Sequence, residues 1–265
     1  MTKYSITTAM LVVVMSISMA VEVQPRDTSV AENVKRQIAK LESGTPRQKI
    51  DAARSLGEMG PKAAPAVPYL IELIDSNEKY ETLWDRFWNI ASPLGTSGTY
   101  VMSEAQKALV AIGQPAVEPL SRALLRHSRS RVRGNAAIAL GNIKDIRSMQ
   151  PLIESLRTDK QYEVRMWSAE ALGKLAEMWS IHSLGDAVRA LMEALKDKDP
   201  NVRQKAAYAL GKMKAMEAVP ALIDVLQVYG KDSDAALALF MITGQRLGDD
   251  PDRWLEWWHK NGGIE

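Results

Sequence analysis

Leucine recurs in this chain at Leu70, Leu120, Leu152, Leu191 and Leu222, at intervals of 50, 32, 39 and 31 residues. Each stands in an apolar stripe that follows another one, so the repeating unit is a pair of short helices. A helix pair returning about every 31 residues marks a solenoid, in which each unit buries its apolar face only against its neighbours. The long intervals follow from an insertion near Trp84 and a shorter one around Met178 to Gly185. The copy that shows the unit best runs from Asp199 to Gln227 and reads DPNVRQKAAYALGKMKAMEAVPALIDVLQ. Val202, Ala206, Ala209, Leu210 and Met213 share one face of its first helix, and Val219, Leu222, Ile223 and Leu226 one face of its second. The small Ala206 and Ala209 predict close helix approach.

Other columns recur with the leucines. A residue pair of the type Leu-Gly closes the first helix at Leu56-Gly57, Ile112-Gly113, Leu140-Gly141, Leu172-Gly173 and Leu210-Gly211. A Val-Arg pair opens it at Val132-Arg133, Val164-Arg165 and Val202-Arg203. Thr45-Pro46 starts the first full unit, with the threonine as cap and the proline in the first turn. Ahead of it, Val30, Val34, Ile38 and Leu41 form a helical stripe ended by Gly44, a helix that caps the array; residues 21–29 read as a short linker. The chain closes with a helix from Ala235 to Ile242. A last helix then holds Trp254, Leu255, Trp257 and Trp258, capped by Asp250 with Pro251 at its first position. Three tryptophans within five residues predict an end cap.

The N-terminus reads as an export signal. Met1-Thr2-Lys3 is followed by an uncharged apolar run from Ile6 to Ala20, and Ser18-Met19-Ala20 fits the small-x-small pattern of signal peptidase, with cleavage before Val21. The run is shorter than the roughly 20 apolar residues of a membrane-spanning helix, and an uncleaved anchor is the alternative. The expected organisation is therefore a signal peptide at 1–20, a linker and capping helix at 21–44, a repeat array at 45–245 interrupted at about 77–99, and a tryptophan-rich cap at 246–265.

DPNVRQKAAYALGKM followed by AVPALIDVL resembles the HEAT-repeat family over a whole repeat, in particular the short repeats shared with phycobilin-lyase-type proteins. GPKAAPAVPYLIELI and IGQPAVEPL are similar to that family's inter-helix turn, and TGQRLGDDPDRWLEWW is similar to tails of exported bacterial members. The resemblance spans residues 45 to 245 apart from the insertion. It implies an all-α protein, a right-handed α-solenoid of roughly five to six helical-hairpin repeats with a capping C-terminal helix. It also implies a binding scaffold, with the second helices lining the concave surface; a lyase-like or cofactor-handling protein is the alternative.

Four groups of residues are candidates for contact with a partner. In the second helices, Glu72, Arg122, Glu154, Glu193 and Asp224 share one column, and Asp75, Leu125, Arg157, Lys196 and Gln227 the column three positions on. Their mixed signs suit a protein or peptide groove. The insertion adds Trp84, Phe87 and Trp88 at the strongest departure from the repeat, either aromatic anchors for a partner or side chains that pack against the flanking units and hide the seam. The densest basic stretch holds Arg122, Arg126, His127, Arg129, Arg131 and Arg133. It would meet phosphates or an acidic partner, but no aromatic interleaves it, which argues against single-stranded nucleic acid. Finally, Arg133, Arg165 and Arg203 recur once per unit and are expected to bond carboxylates or helix-end carbonyls of an adjacent unit rather than a ligand.

Chemistry is constrained by what is missing. Without cysteine there is no disulfide, zinc-thiolate site, thiol nucleophile or lipoprotein anchor. No HExxH, GxSxG, Walker or dinucleotide motif occurs, and the three histidines fall in different units. Lys+Arg 34 against Asp+Glu 32 is too even for a polyanion-binding domain. The resulting expectation is a non-enzymatic scaffold without cofactor or metal that binds a protein or peptide outside the cytoplasm, with nucleic acid and stable membrane insertion not expected.

Overall fold

The computed structural model describes residues 25–81, 99–230 and 233–261. Helix α1 (Pro25–Ser43) is followed by six helix pairs: α2 (Pro46–Met59) with α3 (Val67–Leu73), α4 (Val101–Ile112) with α5 (Val117–Arg126), α6 (Ser130–Ile143) with α7 (Met149–Thr158), α8 (Tyr162–Leu175) with α9 (Gly185–Ala194), α10 (Pro200–Met213) with α11 (Val219–Tyr229), and α12 (Ser233–Thr243) with α13 (Pro251–Asn261). These pairs are called units one to six below. Consecutive first helices pack side by side, as do α3, α5, α7 and α9, and one apolar core runs through the stack. The fold is an α-solenoid.

The caps form as the sequence dictates. Thr45 accepts the Gln48 N–H while the Gln48 side chain accepts the Thr45 N–H, a capping box that satisfies two orphan donors of α2. Helix α1 begins at Pro25, inside the stretch expected to be linker, because proline lacks only a hydrogen bond that the first turn never makes. Asp250 accepts the Asp252 N–H at the start of α13. Trp254 is fully buried with its Nε1 donating to the Gly248 carbonyl, while Trp257 and Trp258 are half-buried.

Glycine sets how closely the first helices meet. A Cβ built on Gly141 would lie 2.8 Å from Ala171 Cα, one on Gly173 2.9 Å from Ala209 Cβ, and one on Gly211 3.1 Å from Ala238 Cα. Gly57 approaches Ala108 in the same way, at 3.3 Å. The Leu-Gly column is thus a row of backbone contacts between units. Gly113 does not belong to it. Because Gly57 meets Ala108 as Gly141 meets Ala171, the equivalents in unit two are Leu109 and the half-buried Val110. Gly113 instead corresponds to Gly60; the two end their helices at φ 71° and 57°, a backbone that glycine adopts at little cost. With valine in the glycine position, α4 touches α6 far less than α6 touches α8.

The insertion opens on a short antiparallel ladder, β1 (Lys79–Tyr80) with β2 (Thr99–Tyr100), which the sequence reading did not contain. Trp84, Phe87 and Trp88 lie outside the described residues. The second insertion docks on the preceding unit, where Trp179 Nε1 donates to the Lys144 carbonyl at 2.8 Å and Glu177 pairs with the Lys144 ammonium.

Candidate functional site

The second helices present shallow grooves between successive units. Between α3 and α5 lies a groove of about 310 Å³ with an apolar floor of Pro68, Ile71, Pro119 and Ala123, rimmed by Glu72, Arg122, Arg126 and His127. A second, of about 290 Å³, separates α5 from α7 and shares Arg126 and His127 with the first; Glu154, Thr158, Lys160 and Gln161 line it beside the Arg133–Asp159 pair. The third, about 190 Å³, lies between α7 and α9 and is lined by Arg157, Glu193 and Lys196. The fourth, about 300 Å³ between α9 and α11, is apolar, with Ala221, Val225, Val228 and Tyr229 between Lys196 and Asp224. Seven residues expected from the two columns and the basic stretch, Arg122, Arg126, Glu154, Arg157, Glu193, Lys196 and Asp224, are exposed and line this series.

Their charges are committed to different degrees. Arg157 holds Glu193 bidentately at 2.8 and 3.0 Å across the third groove, and this guanidinium draws the Glu193 carboxyl below the usual glutamate range. Arg122 pairs with Glu118 one turn back on its own helix. Arg126, Glu154, Lys196 and Asp224 make no ion pair among the described residues.

The repeated arginines face inward. Arg133 forks onto Asp159 at 2.7 and 2.9 Å and donates its third nitrogen to the His127 and Ser128 carbonyls. Arg165 repeats this on Asp197 and on the Asp159 and Lys160 carbonyls. Burial pushes the Asp159 and Asp197 carboxyls up, but the bonds from the arginines and from the N–H groups of Gln161 and Asp199 outweigh it, so both lie below the ordinary aspartate range. Each arginine is pushed up in return, mainly by the hydrogen bond to its aspartate. In unit one Lys49 holds the same place and pairs with Glu78 at 2.6 Å. Arg203 keeps the carbonyl bonds to Asp197 and Lys198 and stacks on Tyr229, 4.2 Å from the ring centre. The aspartates were missed in the sequence, although Asp159-Lys160 and Asp197-Lys198 each stand five residues before a Val-Arg pair.

One rung is missing. In unit two the arginine position holds Met102, and the matching aspartate position before unit three holds His127. Here unit three is tied instead to unit one. Arg129 pairs with Glu72 at 2.7 Å, Arg131 with Asp75 at 2.7 Å, and Asn135 Nδ2 donates to the Ile74 carbonyl. His127 Nδ1 accepts the Arg129 N–H, leaving Nε2 to face Glu72 at 3.4 Å. The basic stretch is therefore largely neutralised by acids of α3 and the turn after it, of α5 and of the α7–α8 turn. No cluster of metal-ligating side chains and no helix long and apolar enough to cross a membrane occurs among the described residues.

A stack of paired helices with Gly-Ala contacts and an internal Arg-Asp ladder defines the class of helical-repeat solenoids. The profile of HEAT repeats matches residues 95–173 and 175–239, more than half of the chain, and the chain belongs to this family. Among solved structures it is similar to the complex of CpcE and CpcF of phycocyanin lyase from Nostoc sp. PCC7120, with 21% identity over 67% of this chain and 98% of that one and a TM-score of 0.51. An engineered protein shares 25% identity over 80% of this chain and 96% of its own, at a TM-score of 0.45. A designed armadillo repeat protein in complex with the peptide (KR)4 shares 20% identity over 78% and 98%, at 0.46. No curated protein matches the sequence.

Proposed function

We propose that the protein is a non-enzymatic scaffold that binds a protein or peptide partner outside the cytoplasm along its second-helix face. The observation that carries this reading is the unbroken series of four grooves between α3 and α11, rimmed by exposed charges of both signs. An extended chain laid across the helices meets a new groove at each unit, and alternating charge fixes its register. Trp84, Phe87 and Trp88 are assigned on sequence grounds as a second contact, and the apolar run ending at Ala20 as the export signal. N-terminal sequencing of the mature protein should then begin at Val21; retention of Met1 in a membrane fraction supports the anchored alternative.

The test is cross-linking in the producing cell with two variants of the full chain. Reversing exposed charges in Arg126→Glu, Lys196→Glu and Asp224→Lys together should abolish the cross-linked species. Replacing the exposed first-helix residues Tyr208 and Leu237 by alanine should leave it unchanged. The opposite pattern overturns the assignment of the face. Trp84→Ala with Trp88→Ala reports separately on the insertion, which is structural if the same species form at the same yield.

A further inference from the structure

Along the second-helix face the first two grooves are continuous, because both are lined by Arg126 and His127. They meet where the ladder has lost its rung. With Met102 in place of the arginine, the residue at the aspartate position is a histidine that turns toward Glu72 and lines both grooves. The rim charges sort into committed and uncommitted ones. Glu72 is bound by Arg129 and His127, Arg122 by Glu118, and Arg133 by Asp159. Arg126 and Lys160 are exposed and make no ion pair among the described residues, and Glu154 is the one uncommitted acid lining the second groove among those residues. The floor beside Arg126 is Pro68, Ile71, Pro119 and Ala123.

From this geometry we infer that the cleft at Arg126 takes an extended acidic peptide, one apolar side chain resting on the floor between α3 and α5 and a neighbouring carboxylate on the Arg126 guanidinium. The inference rests on the second-helix reading above and names the chemistry of its occupant. A guanidinium fork matches a carboxylate, and a low apolar wall beside it strengthens the pair by excluding water. The Gln161 side chain at the far wall of the second groove supplies an amide for the peptide backbone. Nucleic acid fits less well. Neither groove is lined by a Phe, Tyr or Trp ring for base stacking, and the uncommitted acid Glu154 lines the second groove together with Arg126.

Fluorescence anisotropy on the full mature chain tests this with a labelled octapeptide alternating leucine and glutamate. Two controls accompany it, one with lysine for glutamate and one with glycine for leucine. The leucine-glutamate peptide should bind at least about tenfold more tightly than either control, and more weakly as salt rises. Arg126→Glu should remove that preference over the lysine peptide, whereas Tyr208→Ala, on the exposed first-helix face, should leave it intact; thermal melting of both variants verifies folding. Tighter binding of the lysine peptide, or of single-stranded DNA, overturns the inference. So does an unchanged preference in Arg126→Glu, although that result leaves the second-helix face standing. If no octapeptide binds and cross-linking in cells is lost only in the Tyr208 and Leu237 variant, the inference and the reading it rests on both fall.

Discussion

The contact of α6 with α8 and that of α4 with α6 are built from the same plan, and the second lacks both of its fastenings. In the first, Gly141 admits Ala171 to backbone contact, and Arg133 forks onto Asp159 beneath the turn. In the second, valine replaces the glycine, methionine the arginine and histidine the aspartate. Cation and acid are lost together, as expected if each is present for the other: a lone buried charge costs far more than no charge. The weaker joint is bridged from outside by Glu72 of α3 and by Asp75 in the turn that follows it. It is also where two grooves merge. A repeat array gains individuality where its internal bonding lapses, because only there do side chains become available to something else.

The comparison is broken most directly at the ladder. Asp197→Ala leaves the Arg165 guanidinium, whose side chain is only 7% exposed, without its carboxylate. The expected loss is about 3–5 kcal/mol in urea denaturation. His127→Ala, at the corresponding place in the weak joint, should cost no more than about 1 kcal/mol, as its contact with Glu72 is long and partly exposed. Similar losses at the two positions would mean that the joints do not differ in the way described. The ladder also carries a pH signature. The Asp197 carboxyl is depressed in the folded chain, so its stabilisation is present above the unfolded aspartate value of about 3.9 and disappears as pH falls through the lower folded value. The gap between wild type and Asp197→Asn should therefore be constant near neutrality and narrow only below about pH 4.

Next in size is the glycine row. Gly141→Ala sets a methyl group 2.8 Å from Ala171 Cα, which is backbone and cannot swing away, and should cost about 1–3 kcal/mol. At Gly57, where the distance is 3.3 Å, the same change should cost less. Equal melting temperatures for the two variants would count against close approach as the reason for glycine.

How much of this was legible in the sequence depended on whether a residue acts within its own unit or on the next. The apolar stripes and the Thr45 cap follow from local spacing, and the inward role of the arginines from the likeness to related repeats; each appears where expected. Gly113 was misplaced because a glycine after a leucine-like residue looks the same whether it ends a helix or admits a neighbour, and only the contact of Gly57 with Ala108 fixes the register. The acids Asp159 and Asp197 escaped because a rung joins residues 26 and 32 positions apart. The exposed columns of the second helices were readable, but their joining into a cleft at Arg126 depends on a missing rung, which a search for shared motifs passes over.

Rebuilding the rung should have a smaller effect of opposite sign. Met102→Arg with His127→Asp recreates the pair found at Arg133 and Asp159, and should stabilise the chain by about 1 kcal/mol, the usual net gain of a hydrogen-bonded pair once desolvation is offset. Either change alone should destabilise, so the coupling in a double-mutant cycle is the quantity to read. The reconstruction also takes His127 out of the cleft, and acidic-peptide binding should weaken as stability rises.

The smallest effect is expected at Arg157. Its bidentate pair with Glu193 has the geometry of the ladder, but with side chains 46% and 60% exposed it lies in water. Water screens the attraction, and both long side chains lose rotamer freedom in forming it, so Arg157→Ala should change stability by no more than about 0.5 kcal/mol. Half-molar salt should shrink even that, whereas it should leave most of the Asp197→Ala loss in place, since buried pairs are screened far less. Two forks of nearly equal length would then differ several-fold in worth because one is covered by the next unit and the other faces the groove. A large, salt-insensitive loss at Arg157 would mean that the pair holds α7 to α9, and that the third groove is a structural joint rather than part of the binding face.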